Sequence, residues 1–277
     1  MMESGVCNNY SVLMSVYEKD QPAYLNKAIA SMSAQTIPFV DIVIVCDGPL
    51  TDELYSELLH WKNELKDSIT VIQLPENVGL GAALNEGLKY CQCDLVARMD
   101  SDDISRINRC ELLLAAINEA DLDLVGGAIE EFDNVPGDLG VFRKMPESQE
   151  EILKFAARRN PFNHMTVMFN KEKVLDAGGY EPFYLMEDYW LWARMLSSGC
   201  RCANVPEVVV DARVGAGMYA RRTGIDYLKS QISFFRQLKE LGLANSADCF
   251  VTISARFVTS ILPTEPLKAI YKKYLRN

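Results

Sequence analysis

Histidine is scarce in this 277-residue chain, which has only His60 and His164. Gly-x-Ser-x-Gly is absent too, so a serine-hydrolase triad is disfavoured. No Gly-x₄-Gly-Lys-Ser/Thr run occurs, which excludes a P-loop. The first strand-to-helix turn, Val16-Tyr17-Glu18-Lys19, lacks Gly-x-Gly-x-x-Gly, which disfavours a dinucleotide pyrophosphate site. No apolar run reaches the ~18 residues needed to cross a bilayer. The opening Met-Met-Glu-Ser-Gly-Val-Cys has neither a basic n-region nor an apolar h-region, so the cytoplasm is the expected compartment. Internal repeats, low-complexity runs and a clear linker are missing as well.

What is present is ordinary for a globular protein: 49% hydrophobic and 24% charged residues, enough for one large domain or two small ones. The eight cysteines show no disulfide framework and read as buried, reduced thiols. Cys91/Cys93 and Cys200/Cys202 are spaced Cys-x-Cys, whereas structural zinc usually takes Cys-x₂₋₄-Cys. Net charge is −10 but uneven. From Arg213 onward there are 11 basic and 4 acidic residues, leaving 17 basic and 34 acidic of the chain's 28 and 38. An acidic body argues against nucleic acid as the main partner. The basic tail suits anionic lipid or a phosphorylated substrate.

Continuously apolar runs at 10–16, 40–46 and 69–74, together with Leu95-Val96-Ala97, read as strands of a parallel sheet covered on both faces. Between them fall helical patterns: one opened by Pro22, one from about Thr51 to Lys66, and one following Asn77-Val78-Gly79-Leu80-Gly81. Ser105 is a candidate N-cap for a helix carrying Leu112, Leu113, Ala116 and Ile117. Leu122 to Ile129 is a fifth strand, which completes an alternating β-α half of Rossmann type. Beyond it the regularity breaks. Phe132 to Met145 is loop or edge strand, and Ser148 and Glu151 form a capping box for a helix to about Arg159. A short strand is expected at 165–169 and a short helix near 172–177. A helix opened by Glu187-Asp188 should carry Tyr189, Trp192, Met195 and Leu196 on one side. A last strand at 205–210 precedes helices at about 223–241, 246–261 and 265–276. The division is a main domain over 1–212 and a helical extension over 213–277.

The strand through Leu95–Ala97 ends in three carboxylates, Asp100, Asp102 and Asp103. Ligands of open α/β sheets sit beyond the carboxyl ends of the strands. Magnesium-like cations are commonly held there by one or two carboxylates plus substrate phosphates. Taken alone, the stretch reads equally as a solvated acidic loop. Asp47 is either a base- or ribose-binding carboxylate or a turn residue before Gly48-Pro49. Glu187-Asp188 either satisfies a helix N-terminus or supplies a general base. Trp190 and Trp192 offer a sugar-stacking surface, with Trp192 equally suited to the core. His164 lies near an acceptor or leaving diphosphate, or is a core histidine bonded to backbone. Arg213, Arg221 and Arg222 either contact phosphate or form a solvated or helix-capping stretch.

Five segments together resemble glycosyltransferase family 2, fold type A, in its bacterial capsule, exopolysaccharide and O-antigen branch that includes amylovoran-type transferases. They are Ser-Val-Leu-Met-Ser-Val-Tyr-Glu, Ile-Val-Ile-Val-Cys-Asp-Gly-Pro, Asn-Val-Gly-Leu-Gly-Ala-Ala-Leu-Asn-Glu-Gly-Leu, Ala-Arg-Met-Asp-Ser-Asp-Asp and Met-Glu-Asp-Tyr-Trp-Leu-Trp. The likeness covers about residues 10 to 225. It implies an α/β fold: a Rossmann-like, mostly parallel sheet flanked by helices, with a C-terminal helical extension. It implies inverting transfer from a nucleotide-diphospho-sugar, UDP-linked, to a hydroxyl of a lipid-linked saccharide in surface polysaccharide biosynthesis. Val16, Tyr17, Glu18 and Asp47 would line the base pocket. Asn77, Arg98, Asp100 and Ser101 would contact the nucleotide sugar. Asp102 would ligate a divalent metal, Mn²⁺ or Mg²⁺. Asp188 would be the catalytic base and Glu187 its orienting neighbour, while Asp103 reads as structural.

The chain departs from the family pattern twice. Cys46-Asp47-Gly48-Pro49 stands where many members have Asp-Asp-Gly-Ser, and Arg213-Val214-Gly215-Ala216-Gly217 stands where many carry a histidine. The pattern therefore assigns no third protein ligand to the metal. The expected acceptor is polyprenyl-diphosphate-linked. The tail, with Phe234, Phe235, Lys268, Lys272, Lys273 and Arg276, suits either the inner-membrane surface or packing on the domain or in a homodimer. The rivals are a sugar nucleotidyltransferase, which would need a Gly-rich basic loop after the first strand, and a catalytically silent nucleotide-sugar-binding subunit.

Overall fold

The computed structural model describes residues 8–214 and 225–261, with side chains described over 8–214 and 229–254. Four parallel strands form its centre: β1 (Tyr10–Val16), β2 (Asp41–Cys46), β3 (Ile69–Gln73) and β4 (Leu95–Met99). Their order is β3-β2-β1-β4, with Met14 opposite Ile44 on one side and Met99 on the other. Alternation explains why these runs are apolar throughout. Along β1, Val12, Met14 and Val16 enter one core, while Leu13 enters the other. The first core is covered by α1 (Pro22–Ser33), α2 (Asp52–Leu65) and α4 (Arg109–Ala120). The second is covered by α3 (Leu80–Leu88), α5 (Gln149–Ala156), α6 (Lys171–Asp176) and α7 (Glu187–Ser197).

Past β4 the sheet changes sense. β8 (Met168–Asn170) pairs antiparallel with β4 and with β6 (Leu124–Phe132). β9 (Cys202–Arg213) runs parallel to β6 and pairs with the two-residue β5 (Ile104–Ser105). β7 (Val141–Arg143) is an edge strand on β6, within the stretch read as loop or edge strand. The fifth expected strand therefore does not follow directly on β4; the short antiparallel β8 lies between them. The expected strand at 165–169 begins late, because His164–Thr166 form a 3₁₀ turn first.

Several local expectations need correction. Ser105 does not cap a helix. It lies in β5, its N–H donates to the Ser31 hydroxyl, and α4 starts at Arg109 behind Asn108, whose side chain makes no capping bond. Pairing with β9 outcompetes the local cap. The Ser148–Glu151 capping box forms as expected, although α5 stops at Ala156. Cys91 lies beyond the end of α3. The seven described cysteines are free, and burial pushes the Cys46 thiol up to about 11 and those of Cys91 and Cys202 up to about 12.

Tyr189 does not share a face with Trp192. Trp192, Met195 and Leu196 enter the second core, whereas Tyr189 and Trp190 pack with Phe234, Phe235 and Leu238 of α8 (Ile225–Glu240). α9 (Ser246–Ile261) lies on α8, and Arg158 pairs with its Asp248 at 2.7 Å. The expected helix at 265–276 lies outside the described residues.

Candidate active site

Parallel strands deliver their C-terminal residues to one edge of a sheet. Here that edge collects Val16 from β1, Asp47 from β2, and Asp100 to Asp103 from β4. Val16 is buried at the end of β1, while Tyr17 and Glu18 are exposed beyond it. The Tyr17 N–H donates to Asp20 Oδ2 at 3.1 Å, and the Ser101 hydroxyl donates to the same oxygen at 2.8 Å. Asp20 therefore ties the loop after β1 to the loop after β4. Its position in a polar loop gave no sequence signal beyond a turn.

Asp47 is 4% exposed and accepts two backbone bonds, from Val78 N at 2.7 Å and Gly79 N at 3.1 Å. Asn77 Nδ2 returns a bond to the Asp47 carbonyl at 3.2 Å. The carboxylate thus shapes the loop that opens α3, and Asn77 stands exposed on that loop. Gly48 makes this possible: its φ is +85°, and a Cβ there would lie 2.7 Å from Asn77 N. Gly81 allows a second close approach, since its own Cβ would meet those of Tyr180 at 3.1 Å and Glu187 at 3.7 Å. The start of α3 therefore abuts the start of α7.

Two buried arginines underlie the end of β4. Arg98 is 1% exposed, and its Nη2 lies 2.5 Å from Asp100 Oδ1. Burial acts to lower the Arg98 pKa, but the Asp100 charge outweighs it and the guanidinium is held above its ordinary range. Arg109 Nη2 donates to the Arg98 carbonyl at 2.6 Å, bracing the strand from the opposite core. Asp103 is 2% exposed and accepts the Arg213 N–H at 2.7 Å, while its Oδ2 is buried without a hydrogen-bond partner. Burial, then Asp100 and Asp102, raise its pKa well above the usual carboxylate range. Asp102 is half-buried, and burial, followed by Asp100 and Asp20, pushes it up to about 6.

Arg213 is held in place by backbone carbonyls and two aromatic rings. Its Nε donates to the Asp102 carbonyl at 3.1 Å and its Nη1 to the Asp133 carbonyl at 3.0 Å. Its guanidinium also lies 3.7 Å from the Tyr24 ring centre and 4.4 Å from that of Phe132. It braces the acidic turn instead of standing as a solvated cation. Arg221 and Arg222 lie outside the described residues.

Glu187 and Asp188 open α7, where acids complement the exposed N–H groups of the first turn. Burial first, then Asp188, raises the Glu187 pKa. Asp188 Oδ2 accepts from Asn160 Nδ2 at 2.7 Å. Tyr180, 3% exposed, is within electrostatic reach of both Asp188 and Asp100. Both carboxylates and the Arg98 guanidinium act on its hydroxyl, and burial drives its pKa upward. Its backbone is gripped by Asn85, which donates Nδ2 to the Tyr180 carbonyl at 2.7 Å and accepts the Tyr180 N–H at 2.8 Å. His164 Nε2 lies 2.9 Å from the Tyr180 hydroxyl, so its partner is a side chain and not the expected backbone. Burial, then the Arg98 charge, pushes the imidazole well below its usual range, so it is neutral near pH 7. Trp190 offers no stacking surface. It is 9% exposed, packs on Phe183 and Phe234, and donates Nε1 to Glu181 at 2.8 Å. Trp192 is wholly buried.

Tyr180, Asn85, Asn160 and Asp20 escaped the sequence reading. Gly178-Gly179 before Tyr180 and Asn160-Pro161 look like ordinary turns, and Asn85 lies within the family-like 77–88 segment with no role of its own assigned. Among the described residues no group of three or more His, Cys, Asp or Glu is arranged to hold a metal. The donor set at the acidic turn nevertheless has the chemistry of a hard cation's site. Asp102 is a carboxylate crowded by Asp100 and Asp20, and magnesium-like ions take one or two carboxylates and complete their shell with water and phosphate. A cavity of about 680 Å³, lined by residues including Met145, Lys154, Phe155 and Arg159, lies elsewhere and contains none of these carboxylates.

Residues 11–179 match the family model described as Glycosyl transferase family 2. The chain is 40% identical to the Escherichia coli UDP-Gal:alpha-D-GlcNAc-diphosphoundecaprenol beta-1,3-galactosyltransferase, over 97% of each chain. It is 37% identical to the Erwinia amylovora amylovoran biosynthesis glycosyltransferase AmsE, over 95% of this chain and 98% of that one. Its fold is similar to that of the mannosyltransferase PcManGT from Pyrobaculum calidifontis in complex with GDP-Man and Mn²⁺. The TM-score is 0.61 at 20% identity, covering 95% of this chain and 79% of that chain. The fold is thus the type A glycosyltransferase fold: a mostly parallel sheet flanked by helices, with C-terminal helices.

Proposed function

The chain belongs to glycosyl transferase family 2, and on that premise we propose that it transfers a sugar, with inversion, from a UDP-linked donor to a hydroxyl of a polyprenyl-diphosphate-linked saccharide in surface polysaccharide synthesis. The observation that carries this reading is the convergence of two acidic groups on Tyr180: Asp100 with Arg98 from the end of β4, and Asp188 from the start of α7. One group suits a nucleotide diphosphate and the other an attacking hydroxyl.

In this reading Val16, Tyr17, Glu18 and Asp47 border the nucleotide base, with Asp47 acting mainly through the Asn77–Gly79 loop it holds. Asn77, Asp100 and Ser101 contact the nucleotide sugar, and the buried Arg98 acts on it through Asp100. Asp102 would hold a divalent cation, Mn²⁺ or Mg²⁺, which would supply neutralising charge for the leaving diphosphate. Asp188 takes the proton of the acceptor hydroxyl as that oxygen bonds to the anomeric carbon. The bond from that carbon to the β-phosphate oxygen breaks, and its electron pair leaves on the nucleoside diphosphate. Glu187, with its raised pKa, orients the acceptor or Asp188. His164 is neutral and bonded to Tyr180, which suits a positioning role beside the leaving diphosphate.

A lipid-linked acceptor brings the protein to a membrane surface. No described helix is long and apolar enough to cross one. A peripheral contact is supported by α9, where Phe250 is 73% and Val251 50% exposed. The functional test is a screen of nucleotide sugars for metal-dependent release of UDP or GDP. Release from a UDP-sugar, stimulated by a polyprenyl-diphosphate saccharide, supports the reading; the absence of release from every donor overturns it.

A further inference from the structure

The side chain of Asn160, in the loop that follows α5, reaches the first turn of α7. Its Nδ2 donates to Asp188 Oδ2 at 2.7 Å, and its Oδ1 accepts the Phe162 N–H at 3.2 Å. A backbone N–H can only donate, so the Phe162 bond fixes which end of the amide is oxygen and leaves the NH₂ facing Asp188. The loop itself has little freedom. Pro161 follows Asn160 and restricts its backbone. Phe162 is 2% exposed and sits edge-on to Trp192, with ring centres 5.8 Å apart. A donor anchored in the core is thus aimed at one oxygen of a carboxylate on another element.

We propose that Asn160 is the positioning residue of the proposed base: its amide fixes the plane of the Asp188 carboxylate and favours the ionised form that accepts the acceptor's proton. This inference rests on the assignment of Asp188 as base. A carboxylate that must take a proton within a short reaction path gains from being locked in orientation, and displacements of about 1 Å can cost on the order of 10²-fold in rate. Among the groups that act on Asp188 are Asn160, Glu187 and the Tyr180 hydroxyl. Asn160 donates to Asp188 without adding charge of its own, which stabilises a second negative charge beside Glu187.

The discriminating variant is Asn160→Asp. It is isosteric and keeps an oxygen for the Phe162 N–H, so the loop anchor survives. It loses the donor and places a further carboxylate against Asp188. In the full-length protein, its donor binding by calorimetry should stay near that of the parent, while the added like charge lowers its thermal transition at neutral pH. Its kcat should fall roughly 10- to 100-fold, and the acid limb of its kcat/KM profile should move to higher pH, because an added like charge disfavours the ionised base. Asn160→Ala, which lacks both bonds, should also lose kcat more than donor affinity, and it takes over as the test if the aspartate variant does not fold. A kcat within twofold of the parent for whichever folded variant is measured would overturn the inference. Asp188→Asn measured alongside separates the two failures. If Asp188→Asn retains turnover, the base assignment is wrong. If Asp188→Asn is inactive and Asn160→Asp is normal, the base stands and Asn160 is only a loop anchor.

Discussion

The Arg98 guanidinium lies 2.5 Å from Asp100, with the cation 1% and the carboxylate 29% exposed. This ion pair joins the core of the sheet to the candidate site. Arg98 Nε and Nη1 are buried without hydrogen-bond partners, so Asp100 carries most of the compensation for a buried positive charge. Asp100→Asn should therefore destabilise the fold. Breaking a fully buried pair costs ~3–5 kcal/mol, and the partial exposure of Asp100 reduces that to about 2 kcal/mol. The urea midpoint of the variant checks this; an unchanged midpoint contradicts it.

Asp47 should matter to both stability and donor binding. Asp47→Ala strips acceptors from Val78 N and Gly79 N, a loss of about 1–2 kcal/mol. The donor KM should rise, because the loop opening α3 loses its shape. Gly48→Ala should reproduce the effect by another route, since its φ of +85° and the nearby Asn77 N both oppose a side chain. Equilibrium unfolding and donor titration of the two variants test the pair together.

Metal binding should depend on pH through Asp102. With its pKa pushed up to about 6, the carboxylate is largely protonated at pH 5 and ionised at pH 7. The apparent affinity for Mn²⁺ should climb across that interval and level off above it, as expected when a ligand must lose its proton. Stability has the opposite sign in the metal-free protein. A carboxyl whose folded pKa is raised favours folding most when protonated, so its contribution declines as pH rises from about 4 through 6. Asp102→Ala should abolish the metal-dependent part of donor binding. Calorimetry with donor and Mn²⁺ across pH decides; undiminished binding by the variant contradicts the assignment.

Asp188→Asn should cut turnover by ~10²–10⁴-fold, the usual contribution of a general base. Donor affinity should persist, because the variant leaves Asp47, Arg98 and Asp102 intact. Single-turnover transfer measured beside donor calorimetry separates the two quantities. Near-parental turnover would remove Asp188 from the mechanism.

The sequence exposed some of these relationships and hid others for identifiable reasons. The strand ends carrying Asp47 and Asp100 were legible because doubly covered parallel strands are apolar throughout and stop abruptly at polar residues. The capping box of α5 was legible because both partners are local. Ser105 misled because a cap is a local preference, and its pairing with Val210 on β9 is a contact 105 residues away. Trp190 misled because helical periodicity places it on a flank of α7 without revealing that α8 covers that flank with Phe234. Arg213 read equally as a phosphate contact or a solvated cation, because the chain order does not show Tyr24, Phe132 and the Asp102 carbonyl around it. Tyr180, Asn160 and Asp20 were invisible for the same reason: each acts through a partner far away in the chain or held by tertiary packing.

Transfer of a sugar from a UDP-linked donor to a lipid-linked hydroxyl, with inversion, is the proposed reaction. The most direct measurement incubates the full-length protein with Mn²⁺, a panel of nucleotide sugars and a polyprenyl-diphosphate-linked saccharide, following nucleotide release and the anomeric configuration of the product by NMR. The expected result is UDP release from a UDP-sugar that requires both metal and acceptor, with a product of configuration opposite to the donor's. Transfer with retained configuration, or no transfer from any donor, contradicts it.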